Sequence, residues 1–365
     1  MKTIIAAGHI CLDITPVFPQ GRKYDDISSI LIPGKLISME AVDVHTGGSV
    51  ANTGLALKKL GCRVKLLGKV GDDAFGGIIK NIVASYGAGG LITDPKGSTS
   101  YSVVLAVPGI DRVFLHNPGA NNTFTGSDIR DDALEDAVIF HFGYPTLMKH
   151  MYEDGGSQLA AMFSRMKDKG IATSLDLTTL DPDTEAARAG WKDILEQSLP
   201  YVDFFLPSFE ELCFMLDRDR YERLAETGLD MAECLDMDRD VVPLADECIA
   251  MGAKVVLIKC GTSGMLYKTS DRTGISDIGS RLEINVDEWS DRSGIQPCFK
   301  APVVRSATGA GDTSIAAFLA GVLKGKGPAY CAALASAQGA CCVTGYDALS
   351  GLKTMDELEK MILSC

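Results

Sequence analysis

Several patterns that would settle the function of this 365-residue chain at once are missing from its sequence. No stretch approaches the roughly 18 consecutive apolar residues that a membrane helix needs, and the apolar run at residues 4–7 is too short for a signal peptide. The 11 cysteines include no CxxC pair, and the five histidines show no zinc-type spacing. We therefore expect a cytoplasmic chain with reduced thiols and no membrane contact.

Positive charge is also in short supply. Lys and Arg total 35 against 48 Asp and Glu, which gives a net charge of −13. So acidic a chain is not expected to bind nucleic acid or an anionic membrane surface. A small anionic ligand stays compatible with it, because clustered backbone N–H groups can bind phosphate on an acidic protein.

The two common glycine-rich nucleotide motifs are absent as well. The chain contains no GxxxxGK[ST] sequence, and the glycines after the first predicted strand do not form GxGxxG. A P-loop nucleotide hydrolase and a Rossmann-type oxidoreductase are therefore disfavoured.

What the sequence does contain is a regular alternation of short β-like runs and amphipathic segments, which is typical of a parallel sheet covered by helices. The predicted strands are 3–7, 63–67, 137–142, 171–176, 203–206 and 254–259. The predicted helices are 50–60, 75–85, 158–169, 210–216 and 241–251, with two packed helices in 313–344. We predict one domain, residues 1–365, with three α/β/α layers and a mostly parallel central sheet.

Two regions, at about 16–44 and 98–117, interrupt this alternation and supply no crossover helix. The first has strand-like pieces at 27–32 and 36–39, and the second reads as a hairpin around residues 108–109. We predict a small antiparallel β flap that closes over a site as a lid; the alternative is an edge extension or an oligomer contact. Its exposed strand edges predict a homodimer. A third region, 270–300, is predicted to be a polar surface excursion.

The sharpest local motif is SATGAGDT, residues 306–313, which leads into apolar residues at helical spacing. A small-residue loop that opens into a helix exposes N–H groups at the positive end of the helix dipole. Gly309 and Gly311 would let a phosphoryl group approach the backbone closely. Asp312 is either the N-cap of this helix or a base that takes a proton from an attacking hydroxyl.

A second glycine turn, residues 46–52, also leads into a helix. One interpretation is a tight loop with Ser49 as the helix cap. The other is a substrate site, in which the backbone amides of Gly47 and Gly48 and the side chain of Asn52 bind the hydroxyls of a polar ligand.

Asp13 follows the first predicted strand. Ligand-facing residues of a parallel sheet lie beyond the carboxyl ends of its strands. A carboxylate at this position could accept the protons of two vicinal hydroxyls, whereas the alternative is a turn residue ahead of Pro16.

These motifs together resemble the ribokinase-like (PfkB) carbohydrate kinase family, and the similarity runs from the first strand to the last helices. The matching segments follow the family's order: 8–13, 47–52, 68–76 (GKVGDDAFG), 118–121 (PGAN) and 309–312 (GAGD). Each segment is weakly specific alone, but the ordered set is specific.

The resemblance implies the fold, the chemistry and the site residues. It implies transfer of the γ-phosphate of ATP to a sugar-like hydroxyl, with Asp312 as base and an anion hole made by Gly309, Ala310 and Gly311. The implied substrate-binding residues are Asp13, Gly47, Gly48, Asn52 and Asn121. The implied nucleotide-binding residues are Lys259, Gly261, Gly264 and Ser336. Mg²⁺ would be held mostly by phosphates and water, with Glu211 helping indirectly through water.

The chain departs from the family pattern at three places. The family's NxxE motif has Ser208 in place of Asn, which puts the magnesium-linked role of this position in question. Ser306-Ala307 stands where relatives often have Asp-Thr, so a requirement for a monovalent cation stays open. Lys259 replaces a common Thr, and we hypothesise that its ammonium contacts the phosphates; the alternative is a solvated lysine at a strand end.

The sequence therefore predicts a kinase for a sugar or a sugar-like small molecule. The alternatives are a nucleoside kinase of the same fold and a non-catalytic sugar- or nucleotide-binding regulator, which would be expected to lack Asp312 or its glycines. No arginine cluster demands a phosphorylated substrate, although Arg112 in the flap could contact one. The lack of a helix-rich lid favours free sugars over nucleosides.

Overall fold

The computed structural model describes residues 2–19, 21, 24, 26–110 and 112–364. The predicted domain and lid ranges also include residues outside this described part, namely Met1, Gln20, Arg22, Lys23, Asp25, Asp111 and Cys365. The strands are β1 Thr3–Gly8, β2 Cys11–Pro16, β3 Val42–Gly47, β4 Arg63–Leu67, β5 Lys69–Gly71, β6 Ile92–Asp94, β7 Tyr101–Leu105, β8 Val113–Asn117, β9 Ala137–Gly143, β10 Ala172–Asp176, β11 Phe204–Phe205, β12 Val255–Lys259, β13 Met265–Thr269 and β14 Ser293–Gln296. The α-helices are α1 Ser49–Lys59, α2 Ala74–Ser85, α3 Lys149–Tyr152, α4 Ser157–Asp168, α5 Trp191–Ser198, α6 Phe209–Leu216, α7 Arg218–Ala225, α8 Met231–Cys234, α9 Val242–Ala250, α10 Arg272–Ser276, α11 Val286–Trp289, α12 Ala310–Leu323, α13 Pro328–Cys342 and α14 Met355–Leu363.

The central sheet has the strand order β14-β13-β12-β11-β10-β9-β1-β4. Its strands are parallel from β12 to β4, and only β13 and β14, at one edge, run antiparallel to their neighbours. Successive side chains of a strand point to opposite faces. Ile4 accordingly packs into one core and Ile5 into the other. Helices on both faces explain why the inner strands read as continuous apolar runs.

Helices cover the sheet on both faces. One core contains buried side chains of α1, α12, α13 and α14 (Leu57, Phe318, Leu334, Leu358). The other contains those of α4, α5, α6 and α9 (Leu159, Ile194, Leu212, Leu244). This arrangement confirms the predicted three-layer fold. None of the described helices is both long and apolar enough to cross a membrane.

The carboxyl edge of the parallel sheet gathers residues that are far apart in sequence. There β1, β9, β10 and β12 end at Gly8, Gly143, Asp176 and Lys259. The start of α12 lies at the same edge, because a Cβ on Gly311 would be 3.5 Å from Lys259 Nζ. The edge where ligands of open α/β sheets bind is therefore also the place where GAGD lies.

A second sheet, of strand order β3-β2-β7-β8, forms where the lid is predicted, and we use that name for it below. It is antiparallel at its outer pairs and parallel where β2 meets β7. The predicted hairpin is β7 and β8, whereas the predicted strand pieces at 27–32 and 36–39 are wrong. Ile27–Ser29 forms a 3₁₀ turn, and Leu36 is 92% exposed. Strand-like composition does not produce a strand where no neighbouring strand is available for pairing.

The 270–300 region is more than the predicted surface excursion. It forms α10, α11 and the edge strand β14. Trp289 is only 2% exposed and packs edge-on against Phe204 and Phe318. The region is polar in composition because β14 is an edge strand with one side in solvent. This composition gives no sign of the buried Trp289.

The GKVGDDAFG segment joins α2 to the base of the lid through Asp73. Its carboxylate caps α2 by accepting the N–H of Gly76 at 2.8 Å. It also accepts the Thr99 N–H at 2.7 Å and the Thr99 hydroxyl at 2.6 Å, just ahead of β7. Burial raises the pKa of Asp73, but these hydrogen bonds outweigh it and bring the pKa below its usual value.

Replacing Asp73 by Ala should lower the free energy of unfolding by about 1–2 kcal/mol at pH 7, because a cap and two further hydrogen bonds are lost. A carboxylate with a lowered folded-state pKa stabilises above its unfolded pKa, near 4, and this stability is lost as pH falls through the folded value. Urea-unfolding midpoints of both proteins should therefore differ at pH 7 and converge toward pH 2–3. Asp72→Ala, at the adjacent residue, is the matched control and should shift the midpoint little; equal midpoints for Asp73→Ala and the parent at pH 7 would contradict the assignment.

Candidate active site

The carboxylate of Asp312 lies at the start of α12 but is not its cap. Gly309 is the N-cap, in a left-handed conformation with φ 75°, and Asp312 is the third residue of the helix. The N-cap interpretation of Asp312 is therefore wrong. Asp312 is 2% exposed, so its side chain is directed into the protein rather than into solvent.

Three side chains from other elements donate hydrogen bonds to this carboxylate. Asn52 Nδ2 and the Tyr144 hydroxyl bind Oδ2 at 2.9 Å and 2.7 Å, and Thr53 Oγ1 binds Oδ1 at 3.3 Å. Burial raises the pKa of Asp312, and these hydrogen bonds, together with the charge of Lys259, oppose the rise. The result is an oriented carboxylate whose pKa lies above its usual value, which suits a base.

Tyr144 was not singled out from the sequence. It follows Gly143 at the end of β9 and has φ 65°, a left-handed conformation that is uncommon for a residue with a bulky side chain. Such backbone strain is often found at functional sites. Its place just beyond the carboxyl end of a central strand is the signal that would have found it.

The loop before α12 offers unpaired N–H groups at the positive end of the helix. Gly311 and Asp312 lie in the first turn, where the helix supplies no carbonyl for their N–H groups. The N–H of Ala310, in contrast, donates to Ala307 O at 3.2 Å. The anion hole at Gly309, Ala310 and Gly311 stays a prediction, and the N–H of Ala310 is already engaged with Ala307.

Lys259 forms a buried ion pair beside this loop. Its Nζ lies 2.8 Å from Asp176 Oδ1, and the side chains are 10% and 2% exposed, so the solvated-lysine alternative is wrong. Burial lowers the pKa of Lys259, but the carboxylates of Asp176, Glu211 and Asp312 outweigh it and hold the pKa above its usual value. Burial raises the pKa of Asp176, and the nearby ammonium opposes that rise. We take the pair as charged, because the two groups are in direct contact.

Helix α1 connects the glycine pair, Gly47 and Gly48, to Asp312. Gly48 is the N-cap of α1 with φ 84°, and Ser49 is the first helical residue, so the Ser49 capping interpretation is wrong. One turn later, Asn52 reaches Asp312. The two glycine motifs, separated by about 260 residues of chain, therefore form one site.

Asp13 lies against Gly47 on the lid side of the site. It belongs to β2 rather than to a turn after β1, and a Cβ on Gly47 would be 2.2 Å from its Oδ2. The thiol of Cys11 donates to Oδ1 at 3.3 Å. Burial raises the pKa of Asp13. The Asp13 carboxylate therefore extends from a lid strand and lies beside the glycine pair.

The side chain of Asn121 is buried and binds backbone groups. Its amide exchanges two hydrogen bonds with the backbone of Ile10, at 2.9 Å and 3.2 Å, and also donates to Pro118 O at 3.1 Å. These bonds hold the PGAN turn against the chain between β1 and β2. A substrate contact of this side chain stays a prediction that nothing in the structure tests.

Two of the predicted nucleotide residues, Gly264 and Ser336, lie against the chain at and just after the end of β14. Gly264, with φ 93°, packs so tightly that a Cβ would be 2.3 Å from Gln296 O, and Gly261 has φ 54°. The Ser336 hydroxyl donates to Pro297 O at 3.0 Å and accepts the Phe299 N–H at 3.1 Å. Ser336 thus fixes the segment after β14 and would act on a nucleotide mainly through that segment.

Glu211 is bound into the start of α6. Its Oε2 accepts the Ser208 N–H at 2.8 Å, and the Ser208 hydroxyl accepts the Glu211 N–H at 3.3 Å, which is a complete capping box. Ser208 therefore serves as the cap. In the part of the chain that the structure describes, no group of three or more His, Cys, Asp or Glu residues could hold a metal ion.

Arg112 connects the lid to the loop that precedes α12. It lies between β7 and β8, and its Nη1 donates to Ser306 Oγ at 3.1 Å and also to the Thr308 hydroxyl. A cleft of about 570 Å³ lined by Tyr267, Glu288 and the start of α13 shares no residue with this site.

Comparison with known proteins gives consistent matches over the whole chain. The description "pfkB family carbohydrate kinase" matches residues 9–355. A sugar kinase of Archaeoglobus fulgidus that is itself uncharacterised is 27% identical over 302 residues, covering 82% of this chain and 98% of its own. Fructokinase-2 of Oryza sativa subsp. japonica is 26% identical over 330 residues, covering 87% and 84%. The Arabidopsis thaliana ribokinase solved with ribose and ATP shares the fold, with a TM-score of 0.70, 20% identity and coverage of 99% and 98%.

The ion pair at the carboxyl edge of the sheet can be tested by a double-mutant cycle. Lys259→Met and Asp176→Asn should each lower the free energy of unfolding by about 3 kcal/mol, because each leaves a buried partner unpaired. The double variant should lose about 1–3 kcal/mol less free energy of unfolding than the sum of the losses of the two single variants.

Urea-unfolding midpoints without nucleotide measure these energies. The matched control is the exposed pair of Lys2 and Glu283, at 2.9 Å, whose coupling should stay below about 1 kcal/mol. Strict additivity at Lys259 and Asp176 would show that they do not stabilise each other.

Proposed function

The chain belongs to the pfkB family of carbohydrate kinases, and from that premise we propose that it transfers the γ-phosphate of ATP to a hydroxyl of a small sugar with Asp312 as general base. Membership makes it a phosphotransferase with an alcohol group as acceptor. The observation that carries the proposal is the buried Asp312 carboxylate, held by Asn52 and Tyr144 beside the N–H groups that open α12.

The proposed acceptor site lies between Asp312 and the lid. Asp13 and the backbone of Gly47 and Gly48 would bind the sugar hydroxyls, and Asn52 would hold Asp312 toward the reacting one. The carboxylate takes the proton of that hydroxyl as the oxygen attacks the γ-phosphorus, the bond from the γ-phosphorus to the β,γ-bridging oxygen breaks, and ADP leaves with that oxygen. Phosphoryl transfer depends more on positioning and charge stabilisation than on covalent chemistry, and this arrangement provides both.

The proposed phosphate site is the start of α12. The N–H groups of Gly309 and Gly311 and the ammonium of Lys259 would face the transferred phosphoryl group and stabilise the charge that it carries in the transition state. The ammonium of Lys259 lies close to the start of α12, since a Cβ on Gly311 would be 3.5 Å from its Nζ. Mg²⁺ bound to the phosphates would neutralise part of their charge, with Glu211 assisting through water.

The lid is proposed to exclude water during transfer. The hydrogen bonds from Arg112 to Ser306 and Thr308 support this, because they connect the lid to the loop that precedes α12. These hydrogen bonds hold Arg112 at the loop before α12 rather than over Asp13. Arg112 would then not bind a phosphate group on the acceptor, which favours an acceptor without one. A homodimer through the lid remains a prediction, supported by the exposed Phe114 and Leu115 on the edge strand β8.

Sugar kinase relatives support a free sugar as the acceptor. The rice relative is named a fructokinase, and the structural neighbour from Arabidopsis binds ribose and ATP. We propose that the whole chain acts as one catalytic unit, with the lid closing over a sugar of this size.

Asp312→Asn should lower kcat by a factor of roughly 10²–10⁴, because the amide cannot accept the proton of the hydroxyl. The Kd for ATP, measured by calorimetry, should change by less than about threefold, since the helix start is unchanged. A coupled assay with a panel of sugars measures turnover. Turnover by this variant at the parent rate would end the base assignment.

Tyr144→Phe should move the acid limb of the kcat/KM profile to higher pH. The hydroxyl of Tyr144 stabilises the ionised form of Asp312 and so lowers its pKa. Without it the pKa rises further, so the base is protonated up to a higher pH, while activity on the alkaline side is retained. The control is Tyr152→Phe, whose ring packs on Trp191 away from the site. An acid limb at the same pH in Tyr144→Phe and the parent would contradict this role.

A further inference from the structure

One buried histidine beside the active site has no partner for either ring nitrogen. His9 is 2% exposed, and both Nδ1 and Nε2 lack a hydrogen bond. A buried polar atom without a partner costs free energy in a folded protein. Such an atom therefore requires an explanation, and a bound ligand is one.

The ring of His9 lies between the lid and the proposed catalytic base. Its centroid is 5.2 Å from that of His116 on the lid strand β8 and 6.1 Å from that of Tyr144, which binds Asp312. A Cβ on Gly48 would be 2.6 Å from His9 Nδ1. His9 is thus enclosed by the same elements that form the proposed acceptor site.

Two more unpartnered atoms lie at this end of α1. They are Ser49 Oγ and His141 Nε2, and a Cβ on Gly143 would be 1.8 Å and 3.5 Å from them. The remaining unpartnered side chains among the described residues, His150, Ser198 and Ser270, lie elsewhere in the fold. The unsatisfied polar atoms are therefore concentrated where the two glycine motifs meet.

We propose that His9 is a specificity-determining residue that hydrogen-bonds hydroxyls of the acceptor. The acceptor is then a polyhydroxy sugar, and the part of it that contacts His9 carries no charge. This inference rests on the proposed function and deepens it.

The hydrogen-bonding capacity of His9 selects this chemistry. A neutral imidazole has one N–H donor and one nitrogen acceptor. Burial, together with the nearby His116, lowers the pKa of His9 to about 3, so the ring carries no charge at neutral pH. Sugar hydroxyls both donate and accept and can satisfy both nitrogens. A carboxylate or phosphate only accepts, so it would leave the acceptor nitrogen unsatisfied and gain no charge attraction from the ring.

Three enzymes test the proposal: the parent, His9→Leu, which removes both hydrogen-bonding atoms, and His9→Asn, which keeps a donor and an acceptor. His9→Leu should raise the sugar KM by roughly tenfold to a hundredfold and leave the ATP KM within about twofold. His9→Asn should recover part of the sugar affinity. A sugar KM within about twofold of the parent in His9→Leu, or an equal rise in both KM values, would overturn the proposal.

Thermal unfolding without ligand separates binding from packing. Removing an unsatisfied polar group should not lower the apo Tm of His9→Leu, although its stabilisation by added sugar should shrink. The matched control is Ser198→Ala, which removes an equally buried and unpartnered hydroxyl at the end of α5 and should leave the sugar KM unchanged. If His9→Leu does not fold, His9→Asn decides alone: a raised sugar KM with an unchanged ATP KM supports the proposal, and any other pattern overturns it.

Substrate charge gives an independent readout on the parent enzyme. Turnover should be higher with a free sugar than with its aldonic acid or its phosphate ester, and a higher kcat/KM for either anion would overturn the proposal. If the parent phosphorylates no sugar at all, the proposed function fails. If it does, and the His9 variants keep the parent sugar KM, only this inference fails.

Discussion

The hydrogen bond between Asn52 and Asp312, 2.9 Å long, is the contact on which the site depends. It joins the first turns of α1 and α12, two helices that each begin at a glycine with positive φ. Each turn alone is an ordinary helix start with exposed N–H groups. Brought together, they set a carboxylate beside the backbone that we propose binds the phosphate and near the glycines that we propose face the sugar. The parallel sheet makes this meeting possible, because its strands end at one edge.

This arrangement brings several charged side chains together in the protein interior. Asp176 and Asp312 are each 2% exposed, and the charges of both, together with that of Glu211, raise the pKa of Lys259. Buried carboxylates are costly unless they are paired and hydrogen-bonded. Lys259 neutralises part of this charge, and Asn52, Thr53 and Tyr144 supply hydrogen bonds to Asp312. The two ring nitrogens of His9 are buried without such partners, which is why we connect them with the acceptor.

Local patterns of the sequence predicted the sheet, its covering helices and the two glycine motifs, because each depends on neighbours along the chain. They did not predict Tyr144, Asp176 or His9 as parts of the site, since only the topology brings these residues to the same edge. The strand pieces at 27–32 and 36–39 failed because no strand is available to pair with them. Asn121 and Ser336 were placed in the right neighbourhood, but their side chains bind backbone groups that no sequence pattern reveals.

The most direct test of the central claim is a crystal structure of the protein with a sugar and a non-hydrolysable ATP analogue. The account predicts a sugar hydroxyl within hydrogen-bonding distance of the Asp312 carboxylate, and the terminal phosphate on the N–H groups of Gly309 and Gly311. A sugar hydroxyl remote from Asp312, or a terminal phosphate bound away from the start of α12, would contradict it.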